Sequence, residues 1–83
     1  MRYLKTTTTL NALRSDLRRA PDDRFKIALY AEARDYLVEA EIDHAAQFGF
    51  KLNDAEYLRR TRAIRQCELA IDFILESHGA DPA

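Results

Sequence analysis

The segment Gln47–Arg62, QFGFKLNDAEYLRRTR, lies just past the middle of the 83-residue chain and holds its one glycine-centred break between two long helix-forming stretches. Gly49 suits the position after a helix C-terminus, where a positive φ is cheap only for glycine, and Phe50 can fold back on the last turn. Asn53 is a helix N-cap residue, Glu56 stands three positions on to complete a capping box, and Leu52 and Tyr57 occupy the two staple positions. Roughly four residues between two helices is a usual length for an antiparallel connection. The segment therefore predicts a turn rather than a working site.

Working outward, the turn separates a helix over residues 23–48 from one over residues 54–78, with Asp22 or Asp23 capping the first and residues 79–83 left as a tail. In the later helix Tyr57, Arg60, Ile64, Cys67, Ile71, Ile74 and His78 alternate spacings of three and four, the pattern of a packed seam. Positions at matching distances from the turn in the earlier helix are Ala45, Glu41, Val38, Arg34, Ala31 and Ile27, which alternate in the same way. This register sets Val38 near Ile64, Ala31 near Ile71 and Ile27 near Ile74, and it predicts a Glu41–Arg60 ion pair. Replacement of Arg60 by Met is expected to leave the fold intact if the pair only specifies register.

Before Pro21, Leu10, Leu13 and Leu17 recur at helical spacing and predict a short helix over residues 10–20. Thr6–Thr9 (TTTT) is the one β-favouring stretch and is expected to be an extended lead-in over residues 1–9 that supplies an N-cap. Two prolines and two glycines in the whole chain leave little punctuation for anything but helices. The fold class is all-α: one domain, a short N-terminal helix followed by a long antiparallel helical hairpin, dimerising into a bundle.

Dimerisation is expected from size. A chain of this length buries only about 60 to 65 % of its unfolded surface, and domains this small usually need a staple or a partner. Cys67 is the single cysteine, which rules out a disulfide within the chain and suits a reducing compartment. No apolar run is long enough for a signal peptide or a membrane span, so the expected location is the cytoplasm. The earlier long helix carries more apolar surface than one seam requires: Phe25, Leu29, Ala33, Tyr36 and Ala40 form a second face, and Leu69 and Phe73 sit off the seam of the later helix. Each long helix spans roughly 37 Å at 1.5 Å per residue, more than a three-turn helix covers. A second copy of the chain is the expected occupant of that face, with a different protein as the other possibility.

The formal net charge of −1 conceals a gradient. Residues 1–26 hold seven basic and three acidic side chains, whereas residues 27–56 hold two basic and seven acidic ones. Neighbouring segments of a bundle can neutralise each other in this way. Glu32, Asp35, Glu39 and Asp43 form an acidic row along one side of the earlier helix, with Tyr36 beside it. The later helix places arginines in its first half and Glu68, Asp72 and Glu76 toward its end, against the preference set by the helix dipole. Local rules broken without compensation tend to mark interaction surfaces.

Candidate chemistry is sparse. Glu41-x-x-His44 has the spacing of di-iron and di-manganese bundles, but such sites need two copies and two further carboxylates, so no metal and no cofactor are expected. Cys67 lies between Ile64 and Ile71, as a small buried hydrophobe would, and His78 is three turns away. There is no phosphate loop, nucleophile elbow or HExxH motif. The expected function is that of a non-enzymatic regulatory module that docks a helix surface on another protein: an adaptor, antiactivator or inhibitor, the product of a phage or mobile element acting on a host protein being one such case. The alternative is a small nucleic-acid-binding regulator using the arginine clusters Arg14, Arg18, Arg19, Arg59, Arg62 and Arg65.

Overall fold

The computed structural model describes residues 6–49 and 55–79, and all the regular structure among them is helical: α1, Thr6–Arg19; α2, Asp23–Phe48; α3, Ala55–Gly79. The proposed caps and staples at Phe50, Leu52 and Asn53, the side chain of His78, and the segments 1–5 and 80–83 lie outside the described residues.

The start of α1 corrects the sequence reading. Thr6–Thr9 is the first turn of the helix, not an extended lead-in. The β preference of threonine is worth a fraction of a kcal/mol per residue, and tertiary contacts override it. Here the contact comes from α3. The Glu56 carboxylate accepts from the backbone N–H of Thr6 at 3.2 Å and from its hydroxyl at 2.6 Å. A distant acid thus satisfies a donor that the helix start leaves orphaned, and Thr6 and Thr9 are buried beneath it. At the other end Arg18 and Arg19 occupy the last turn, where a positive charge is favoured, and Pro21 prevents continuation.

Asp22 caps α2, its side chain accepting from the backbone N–H of Phe25 at 2.8 Å. Gly49 closes α2 with φ 75°, and its N–H donates to the Ala45 carbonyl at 2.8 Å. α2 and α3 pack on each other at several points. Glu41 meets Arg60, Ala33 shares the core with Cys67, and Ile27 and Leu75 border one depression near the far end.

The interior is narrow and made largely of small side chains. Leu13, Ala33, Leu37, Ala40, Ala63, Cys67 and Ile71 are buried, and Leu10, Leu17, Leu29 and Tyr30 pack against the cluster of Leu13, Ala33 and Cys67. Its centre on α2 differs from the expected seam. Leu37 is 1 % exposed, whereas its neighbour Val38, expected opposite Ile64, is 36 % exposed. One residue is about 100° of helix rotation. The shift follows from α1, which packs on both long helices and turns the buried side of α2 toward itself. On α3, Arg60, Cys67 and Ile71 of the expected seam are buried, but Ala63, outside that seam, is buried too because Leu10 of α1 packs nearby. The outcome is an elongated molecule, 48 × 24 × 18 Å, with a Cα radius of gyration of 14.4 Å. A compact chain of this length has about 12 Å.

Candidate protein-binding surfaces

A chain of polar contacts ties the three helices together at one end. Glu56, in the first turn of α3, holds Thr6 of α1, ion-pairs with Arg59 at 3.0 Å and lies 3.9 Å from Arg60. Arg60 in turn donates to Glu41 of α2 at 2.8 Å, with the two side chains only 8 % and 15 % exposed. Burial pushes the Glu56 carboxyl upward, but the two bonds from Thr6, the bond from Arg59 and the charge of Arg60 outweigh it and hold the group below its ordinary value of 4.5. Glu56 therefore serves α1, a role no local capping pattern foretells. Long-range partners are invisible to spacing rules.

Of the Glu41-x-x-His44 motif, Glu41 belongs to this structural network through its ion pair with Arg60. Among the described residues no group of three or more His, Cys, Asp or Glu side chains comes close enough to hold a metal ion. Cys67 is buried; burial pushes its thiol above the usual range, Glu68 adds to this, and Arg34 opposes it without reversing the direction.

The acidic row falls on the outer side of α2. Glu32, Asp35 and Glu39 are exposed and Asp43 is half-buried. Asp35 is engaged by the adjacent Arg34 at 3.1 Å, a surface pair worth little. Tyr36 is half-buried in a shallow depression of about 190 Å³ between α1 and α2, bordered by Leu13, Asp16, Leu29, Glu32 and Ala33. The depression has an apolar floor and acidic groups on both rims, Asp16 from α1 and Glu32 from α2. The contribution of Asp16 was not foreseen, because α1 and α2 had no assigned register.

The expected apolar face is only partly available. Ala33 and Ala40 are buried within the chain and cannot meet a partner, and Leu29 and Tyr36 are half-buried. For Leu29, Ala33 and Tyr36 the cause is again α1, which packs beside them. Phe25, Leu69 and Phe73 are exposed, Phe73 at 70 %. Ile42, Leu58 and Leu75 are also exposed, although no seam or row had singled them out.

The arginines proposed for nucleic-acid contact do not converge on one depression. Arg14, Arg18, Arg19, Arg59, Arg62 and Arg65 are all exposed. Arg14 donates to Asn11 of its own helix and Arg59 is paired with Glu56. Arg59 and Arg62 border a depression between α1 and α3, whereas Arg65 borders another that it shares with Arg34, Glu68 and Asp72. Acids are interleaved with bases there.

No helix among the described residues is long and apolar enough to cross a membrane. Comparison with protein-family models, with curated proteins and with solved structures found no match.

Proposed function

We propose that the protein is a non-enzymatic binding module of the cytoplasm, built as an antiparallel α2–α3 hairpin with α1 along one side, that self-associates and docks a helix surface on another protein as an adaptor, antiactivator or inhibitor. The hairpin is supported by the order of the Glu41–Arg60 ion pair, the core cluster shared by Ala33 and Cys67, and the depression bordered by Ile27 and Leu75. The observation that carries the binding role is the apolar surface left uncovered by the three helices: Phe25, Ile42, Leu69, Phe73 and Leu75 are each at least half exposed. Large apolar side chains exposed in this number on a narrow core mark an interaction surface.

For the heterologous partner the favoured surface is the α1–α2 depression with its acidic borders. It suits a segment that places an apolar anchor over Leu13, Leu29 and Tyr36 and basic side chains beside Asp16, Glu32 and Glu39. The test is affinity capture from native lysate with the wild type beside a Glu32→Ala, Asp35→Ala, Glu39→Ala, Asp43→Ala variant of unchanged helicity. Loss of the captured protein with the variant supports this surface, and undiminished capture removes it. A salt-sensitive shift of random duplex DNA that disappears when Arg14, Arg18 and Arg62 are replaced would favour the nucleic-acid alternative instead.

A further inference from the structure

Arg62, Arg65, Leu69, Asp72, Phe73 and Glu76 are all exposed, and at 100° per residue they fall within roughly 100° of arc on α3, on the side away from buried Cys67. Glu68, and Arg34 of α2, lie beside the Arg65–Asp72 edge of this stripe, but within the stripe itself the charges are segregated along its length. Its two bases come first, its two acids come last, and its apolar residues, Leu69 and Phe73, lie within and beside the acidic half. Arg62, Arg65, Asp72 and Glu76 make no ion pair among the described residues. Glu76 also stands near the end of α3 with its partial negative charge, a local cost with no local compensation.

A two-fold axis through Leu69 removes each of these anomalies. Turned antiparallel on itself, the stripe sets Arg62 opposite the partner's Glu76, brings Arg65 beside the partner's Asp72 and over the ring of the partner's Phe73, and packs Leu69 on the partner's Leu69. Each pairing occurs twice, because an isologous contact is self-complementary. A parallel arrangement would instead stack arginine on arginine and acid on acid. We infer that the outer face of α3 is the homodimer interface, an antiparallel α3–α3 contact centred on Leu69 whose register is written by the basic and acidic halves of the helix. The cation–π contact of Arg65 with the partner's Phe73 and the Leu69 contact supply its apolar centre. The inference rests on the self-association proposed above and assigns it a surface on α3, leaving the α1–α2 depression free for another protein.

The test is a charge exchange read by sedimentation equilibrium, with helicity checked by circular dichroism. R62E/R65E makes the stripe acidic throughout and D72R/E76R makes it basic throughout, so each variant alone places like charges in apposition and should dimerise roughly 10-fold more weakly or worse. An equimolar mixture of the two restores every charge pairing and one of the two Arg65–Phe73 contacts and should recover most of the lost affinity, whereas the fourfold variant R62E/R65E/D72R/E76R restores the charge pairings alone and should recover less. Wild-type dimers accompanied by equally stable dimers of both single-half variants overturn the α3 interface and leave self-association standing. A monomeric wild type overturns both. Helical, monomeric variants that fail to associate when mixed overturn the antiparallel pairing.

Discussion

Removal of the Glu56 carboxylate should loosen α1 from the rest of the molecule. In Glu56→Ala the N–H and hydroxyl of Thr6, a residue 1 % exposed, lose their shared acceptor. A hydrogen bond to a charged group contributes about 1.5 to 3 kcal/mol, and a lost helix cap alone about 1 kcal/mol. The exposed contact with Arg59 adds only ~0.3 kcal/mol. The expected loss is about 2 kcal/mol, a large part of the stability of a domain this small. With a urea slope of about 1 kcal/mol/M, the unfolding midpoint followed by circular dichroism should fall by roughly 2 M without a change in slope. Glu56→Gln keeps an acceptor and should lose about half as much. The pH dependence follows from the lowered folded value. The stabilisation is complete above the unfolded value near 4.5 and is lost as pH falls through the lower folded value, because protonation then costs the native state its acceptor. Wild-type stability should therefore decline in that acidic window more steeply than that of Glu56→Gln. A Glu56→Ala midpoint within 0.2 M of wild type (roughly the precision of such titrations), or parallel pH profiles for wild type and Glu56→Gln, would refute the assignment of Glu56 as the cap of α1.

Three further outcomes are expected from thermal or urea unfolding. Leu37→Ala should cost about 3 kcal/mol, whereas Val38→Ala should cost well under ~1 kcal/mol; equal losses would restore the two-helix seam with Val38 at its centre. Gly49→Ala should cost about 1 kcal/mol through backbone strain at φ 75° alone, since an added Cβ meets nothing within 4 Å, and a stabilised variant would contradict that backbone geometry. Arg60→Met should cost about 3 kcal/mol by stranding the Glu41 charge, while Glu41→Leu with Arg60→Met should recover most of the loss; a neutral single variant would show that water reaches Glu41.

The ends of α2 were legible because their signals are local: Asp22 accepts from a backbone three residues on, and Gly49 adopts the positive φ that only glycine takes easily. The Glu41–Arg60 pair was legible because two helices joined by a short link have one natural register, and opposite charges stand at matching positions in it. The start of α1 was not, since threonine reads as extended and the acid that stabilises Thr6 lies fifty residues away. For the same reason the buried side of α2 was misplaced by one residue. Periodicity names the apolar faces of a helix without saying which neighbour covers each, and α1 packs on the one holding Leu29 and Ala33. The acidic row of α2 was visible as spacing, but the rim that Asp16 adds depends on the docking of α1, and what binds there is written on another molecule's surface.

The mass of the wild-type chain in solution, taken by light scattering after size exclusion at tens of micromolar, bears on the whole reading. A particle of twice 9.6 kDa that dissociates on dilution is the predicted result. A particle of 9.6 kDa at every concentration would contradict it.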